Sequence, residues 1–299
     1  MQKHNIKILL TQEWKKVLKE GIKNKDDRVK LSEEINQKLF DHVFEQKSIF
    51  AKYCKGNIIL QQNDYGVNFD IIKPTIFQRK TVPLQNKLPN FEINVKCLSW
   101  KELLSCKVSL GSLPVTPENV VWWQKNFYDE SIKQFDREAF QMMENSITKN
   151  NEITIDFNTI SELEIYNQLI NEATKLTKFR DKNGKIDLID RDKIVISVDP
   201  NIFNKIAQVE LLSNRVAKIF EDNQYFVSTI GGFKIMSNPF LNESKAIIGT
   251  IFSGFGSVKV IAVNVGKIVA LSEDMAIYFE AACVKDINEN YPLIAIKQK

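Results

Sequence analysis

Thr116-Pro117-Glu118 is the tightest constraint in the sequence. Threonine suits a helix N-cap and proline the first helical position, where no N–H is needed. A carboxylate in the first turn faces the positive end of the helix dipole. Tyr128, Ile132, Phe135, Ala139 and Met142 then recur at steps of four and three, one apolar stripe running toward Ser146. The pattern predicts a helix of ~30 residues, ~45 Å long at 1.5 Å per residue. Such a helix predicts an elongated molecule with the remaining elements arranged along it.

Upstream, residues 6–50 read as helical, with Leu9, Leu10, Trp14 and Val17 early and Leu39, Phe40, Val43, Phe44 and Phe50 late. The Lys/Asp-rich stretch Gly21–Lys30 separates the two groups. Residues 1–30 hold nine Lys/Arg against four Asp/Glu, although the 299-residue chain carries only +4 overall. A basic arm with so few apolar residues is expected to bury little of itself and to need another surface to become ordered. An anionic partner or a solvated helix face both account for its charge.

From Asn57 to about Leu110 glycine, proline and β-formers dominate, and Phe91–Val95 alternates as a strand does. Pro74, Pro83 and Pro89 rule out a long helix and disfavour a central strand. Residues 73–90 contain Arg79, Lys80 and Lys87 and no acid. A long β-arm with a basic tip fits this composition, and so long a connection implies a function.

Downstream, Glu152–Phe157 alternates as a short strand, and Ser161-Glu162-Leu163-Glu164 is a capping box opening a second helix with Tyr166, Leu169, Ile170, Ala173 and Leu176 on its face. Lys193–Val198 is an apolar strand. Asp199-Pro200 starts a helix with Ile202, Phe203 and Ile206 inward, and a further helical patch covers Leu211–Phe220. Tyr225–Ile230 and Phe233–Met236 read as strands about Gly231-Gly232. Lys245–Ile251, Val258–Val263, Ile268–Leu271, Met275–Val284 and Leu293–Ile296 complete a strand-rich last third.

Catalytic signatures are missing from the sequence: no GxxxxGK[ST], HExxH, GxSxG or EF-hand loop. Two histidines, His4 and His42, supply histidine chemistry poorly. Cys54, Cys97, Cys106 and Cys283 lie too far apart for a zinc or redox motif and are expected to be reduced and buried. Asp187, Asp190 and Asp192 alternate with basic residues, as a solvated turn does. Trp122, Trp123, Phe127 and Tyr128 fit a core or a subunit interface better than a base-stacking platform. No catalytic residue, cofactor or metal is expected. No apolar run approaches the ~18 residues of a membrane helix, and the N-terminal residues lack signal-peptide features, so the reading is an intracellular product.

Three segments carry a family resemblance. Asp190–Phe203 resembles an axial-domain strand followed by a proline-started helix. Thr229-Ile230-Gly231-Gly232-Phe233-Lys234-Ile235-Met236-Ser237 resembles a "G-x-I-G-G-F-x-V-x-x-S" turn, and Met275–Ile287 followed by Leu293–Ile296 resembles a returning pair of strands. With the order of elements, these resemble the major capsid proteins of tailed bacteriophages, the Hong Kong 97 capsid fold. The resemblance implies an α+β chain in five parts. These are an N-terminal arm and adjoining helix (1–50), an extended β-hairpin loop with flanking strands (51–115), a spine helix with the peripheral domain (116–158), an axial domain (159–262) and C-terminal strands returning to the peripheral domain (263–299). It implies a non-enzymatic subunit that assembles with itself through pentamers and hexamers into an icosahedral shell around double-stranded DNA. Scaffolding protein, portal and maturation protease would be partners, and the arm would face DNA or scaffold. Arg79, Lys80 and Lys87 at the loop tip would meet a neighbouring subunit. An encapsulin-like compartment shell is the alternative within the fold; a nucleic-acid-binding protein or an enzyme of unrecognised type are the alternatives outside it.

Overall fold

The computed structural model describes residues 2–24, 28–71, 94–100, 102–111, 114–179, 188–212, 226–267 and 274–299. The chain divides into two compact units, each built from three separate stretches. The long helix α4 (Pro117–Ser146) contributes residues up to Asp136 to the first and the rest to the second. It begins as its sequence dictates, with the Asn119 N–H donating to Thr116 Oγ1 at 3.3 Å.

The first unit holds helices α1 (Gln2–Asn24) and α2 (Glu33–Lys47) and a four-stranded sheet. Strand β1 (Arg28–Lys30) pairs antiparallel with β11 (Gly254–Lys267), which is followed in the sheet by β12 (Met275–Ile287) and β5 (Glu102–Gly111). Aromatic side chains fill the space between helices and sheet. Phe40 meets Tyr128 edge-on at 5.1 Å, Phe44 meets Phe135 at 5.2 Å, and Phe127 stacks on Phe279 at 5.8 Å. Gln37 fastens α2 to β11 by donating to Val258 O and accepting from the Val260 N–H.

The arm is a correction to the sequence reading. Its apolar residues are few, but Leu10, Trp14 and Leu18 recur every four positions and are buried against the rest of this unit. The polar stretch after it contains a strand, β1, whose partner lies more than 230 residues away. The spine stripe needs a smaller correction. Met143, not Met142, takes the buried position after Ala139, and Ile147 follows it, because steps of four keep the stripe on one face.

The second unit is organised by a six-stranded mixed sheet. In order across the sheet it contains β6 (Glu152–Ile155), β13 (Ile294–Gln298), β10 (Ser244–Thr250), β7 (Ile194–Val198), β9 (Phe233–Ser237) and β8 (Phe226–Ile230). Strand β7 is buried at every residue, as a central strand without polar alternation should be. Helices α5 (Glu162–Thr177) and α6 (Pro200–Leu212) share one core with it, in which Ile165, Leu169, Ala173, Ile202 and Ile206 meet Ile194, Ile196, Phe233 and Ile235. The capping box opening α5 is complete: the Glu164 N–H donates to Ser161 Oγ, and the Ser161 N–H donates to the Glu164 carboxylate at 2.8 Å. The β8–β9 hairpin turns through Gly231 and Gly232 at φ +55° and +85°, the left-handed pair that a tight two-residue hairpin requires.

Helix α3 (Ile49–Tyr53) and strands β2 (Ile58–Gln62), β3 (Gly66–Ile71) and β4 (Asn94–Ser99) also belong to this unit. Phe50 and Tyr53 each pack edge-on against Phe140 of α4, at 5.8 Å. The C-terminal segment 263–299, read from sequence as one returning piece, is divided. β12 joins β5 and β11, whereas β13 joins β10 and β6 in the other sheet, because its Ile294–Ile296 run is buried enough for a sheet interior. Ile268–Leu271 and most of the Leu211–Phe220 patch lie outside the described residues.

All four cysteines are free. Cys54 and Cys283 are buried as expected, but Cys97 and Cys106 are exposed, one on β4 and one on β5. Burial pushes the Cys54 thiol far above its ordinary pKa, while a backbone hydrogen bond at Gly254 opposes this weakly. Thiolate is the reacting species. A maleimide titration of the native protein is therefore expected to modify two thiols quickly, with the other two reacting only after denaturation. Four fast thiols would contradict the burial of Cys54 and Cys283.

Candidate assembly surfaces

Among the described residues, no group of three His, Cys, Asp or Glu side chains is placed to hold a metal, and no helix is long and apolar enough to cross a membrane. Asp187 lies outside the described residues, and Asp192 is ion-paired with Lys193 at 2.8 Å. The surfaces with a distinctive construction are the base of the 72–93 connection, the seat of the arm, and a set of exposed aromatic and aliphatic side chains.

Strands β2, β3 and β4 form a separate antiparallel sheet. Its turn is held by Asn63, whose Oδ1 accepts from the N–H groups of Tyr65 and Gly66 at 2.9 and 3.0 Å. The chain leaves β3 at Ile71 and re-enters β4 at Asn94, directly opposite in register. Both ends of the intervening segment are thus fixed to one another. Arg79, Lys80 and Lys87 lie within that segment, outside the described residues. One face of the small sheet is anchored: Val67 and Phe69 are buried, and the Phe69 ring lies 5.2 Å from that of Phe255. Lys96 spans the same junction, 5.5 Å above the Phe255 ring and ion-paired with Asp286. The rest is open, with Ile59, Leu60, Val95 and Cys97 exposed and Tyr65 at 86% exposure. Apolar residues on so small a sheet are unusual for a surface with no partner.

The arm is seated by a buried polar network. Trp14 Nε1 donates to Gln124 Oε1 at 2.7 Å, and Gln124 Nε2 donates to Asn36 Oδ1 at 2.8 Å and to Tyr128 Oη at 2.7 Å. Tyr128 Oη donates toward Asn36 O at 3.3 Å, and Asn36 Nδ2 donates to Leu31 O. Trp14, Asn36 and Gln124 are wholly buried. Burial raises the Tyr128 phenol well above its ordinary pKa, only partly offset by the Gln124 hydrogen bond, so it remains a neutral donor. One glutamine therefore joins α1, α2 and α4 with nearly all its hydrogen-bonding capacity used.

Trp122 remains 58% exposed beside Trp123, and Leu103 on β5 is 71% exposed. Trp123 stacks toward Phe127 at 6.2 Å and so belongs to the core; Trp122 does not. Sequence reasoning treated the two tryptophans as one feature, and the structure separates them.

No protein-family model matches the sequence, and no curated protein matches it. Similarity appears in three dimensions. The capsid structure of the cyanophage P-SCSP1u aligns over 80% of this chain and 85% of its own at 10% identity, with a TM-score of 0.50. The capsid structure of Staphylococcus phage Andhra aligns over 81% and 82%, at 10% identity and a TM-score of 0.49. A virus-like particle from Pyrococcus furiosus aligns over 87% and 98%, at 14% and 0.48. The fold is that of tailed-phage capsid proteins, the Hong Kong 97 type.

Proposed function

We propose that this chain is the major capsid protein of a tailed bacteriophage or a prophage relative, a structural subunit with no catalytic role. The observation that carries this reading is the coincidence of a capsid fold with a connection whose two ends are clamped side by side at Ile71 and Asn94. A subunit of a closed shell needs elements that overlap its neighbours, and many weak overlaps add through symmetry. On this reading α4 is the spine, the β2–β3–β4 sheet is the root of the extended loop, and the six-stranded sheet with α5 and α6 is the axial domain. The unit containing β5 and β12 is the peripheral domain. Pentamers and hexamers close an icosahedral shell around double-stranded DNA in the host cytoplasm, with scaffold, portal and maturation protease as partners.

Electron microscopy of the purified full chain tests the reading. Closed particles or five- and six-fold capsomers are expected, and a monomer that never assembles, even with its neighbouring genes co-expressed, would overturn it. Particles that hold a cargo enzyme instead of DNA would redirect the reading to a compartment shell. A second test concerns the loop tip. Reversing Arg79 and Lys80 to glutamate is expected to abolish shells while leaving the subunit folded by circular dichroism. Normal particles from that variant would refute the role of the basic tip.

A further inference from the structure

Three stretches distant in sequence place like charges on one end of the six-stranded sheet. The Gly56 N–H donates to Ile251 O at 2.8 Å, and the Ile251 N–H donates to Lys193 O at 2.9 Å. These bonds bring Lys55, just beyond α3, to the start of β7. Strand β9 runs parallel to β7 with Lys234 opposite Val195. Strand alternation puts Lys234 on the face away from Phe233 and Ile235, which enter the core under α5 and α6. Lys193, two residues before Val195, belongs to the same end. Arg191 closes the group: its Nη1 donates to Gly231 O at 3.0 Å, and its guanidinium lies 5.2 Å above the Phe233 ring.

Charge here is not balanced. Asp192 is engaged with Lys193 at 2.8 Å. Among the described residues, neither Lys55 nor Lys234 has an acidic partner within ion-pair distance. Loss of solvent and the nearby Lys55 hold the Lys234 ammonium below its ordinary pKa; Asp192 opposes this and Lys193 adds to it. Folding thus maintains a repulsive arrangement that a bound anion would relieve.

We propose that Lys55, Lys193 and Lys234 form an oxyanion site that takes a phosphate group. A phosphate offers three or more acceptor oxygens and up to two negative charges to several ammonium groups at once, whereas a carboxylate offers two oxygens and one charge. Lysine ammonium groups bind phosphate as point charges and tolerate varied angles, which suits contributions from three separate backbone segments. The site does not depend on the capsid reading. The phosphate can be a free ion or part of a nucleic-acid backbone, and the two sources are separable by experiment.

The test uses the full chain in phosphate-free buffer. Radiolabelled inorganic phosphate is measured by equilibrium dialysis, and a fluorescent DNA duplex by anisotropy at about 50 and 200 mM salt. Three variants are compared with the unaltered protein: Lys55→Gln/Lys234→Gln, the single Lys55→Gln, and Lys16→Gln/Lys38→Gln, which removes the same charge from exposed helix positions. Phosphate affinity is expected to fall about tenfold in the cluster double variant, several-fold in the single variant, and not at all in the control. Selective loss in the phosphate assay identifies a free-ion site. Selective loss in the duplex assay alone identifies a backbone phosphate. Equal effects of the cluster and control variants, no binding in either assay, or tighter retention of polyglutamate than of either phosphate ligand would overturn the proposal. The exposed Lys55→Gln variant keeps the test decisive should the double variant fold poorly.

Discussion

Replacing Trp14 with alanine is expected to destabilise the first unit by about 3–5 kcal/mol through lost packing, with a further ~1–3 kcal/mol for the stranded Gln124 carbonyl. Trp14 is wholly buried, and its indole N–H is the donor recorded for Gln124 Oε1. Domains of this size are stable by roughly 5–15 kcal/mol, so the loss removes a large part of the total. Trp14→Phe separates the two terms. It keeps most of the apolar volume but no N–H, and is expected to cost about 1–3 kcal/mol. Urea unfolding followed by circular dichroism measures both. If the two variants each fall within ~0.5 kcal/mol of the unaltered protein, the range of surface substitutions, the arm is not seated as described.

The network also explains why an arm with little apolar area has a defined place. Leu10, Trp14 and Leu18 supply the attraction, but an apolar stripe of three side chains leaves the helix free to slide or rotate. A buried glutamine that must satisfy an indole, an amide and a phenol at once admits one register, since any shift leaves polar groups unpaired without water.

What was legible in the sequence was what is encoded locally. Thr116-Pro117 starts α4 where the capping rules place it, Ser161 and Glu164 close their box, and Gly231-Gly232 turn a hairpin, because each depends on residues within a few positions. The features that escaped depend on distant partners. Nothing near Arg28–Lys30 indicates a strand, because its ladder is completed by Asn264–Gly266. Strand β5 was grouped with the loop's flanking strands, whereas it pairs with β12 from Met275 to Cys283. Gln124 looked like one polar residue among aromatics, and its role follows only from Trp14 and Asn36, each about a hundred residues away. Lys55, Lys193 and Lys234 were unremarkable separately for the same reason. The tip residues Arg79, Lys80 and Lys87 were chosen on charge alone, and what the structure adds is the paired root from which their segment leaves.

That root is where a single methyl group should have the largest effect on assembly. A Cβ on Gly66 would sit 2.2 Å from Leu98 O and 3.0 Å from Ser99 Cα, both backbone atoms of the strand that Gly66 pairs with. No side-chain rotation relieves such a clash, so Gly66→Ala must push β4 away or slip its register. A slip of one residue would turn the buried Val67 and Phe69 to solvent, so separation is the cheaper response. The expected cost is about 3 kcal/mol, the upper part of the range for overpacking. It is confined to the small sheet, because Gly66 has no part in the ladders of the two larger sheets. Hydrogen exchange should quicken in residues 58–71 and 94–99 while β7, β10 and β13 stay protected. On the capsid reading the variant should accumulate as folded subunits that form no closed shells, since the ends of the 72–93 segment are no longer held together. Gly232→Ala serves as the comparison: its Cβ meets nothing closer than 3.8 Å, and only the strain of φ +85° opposes it, so assembly should survive. Native exchange and normal shells from Gly66→Ala would mean that the pairing of β3 with β4 does not root the loop.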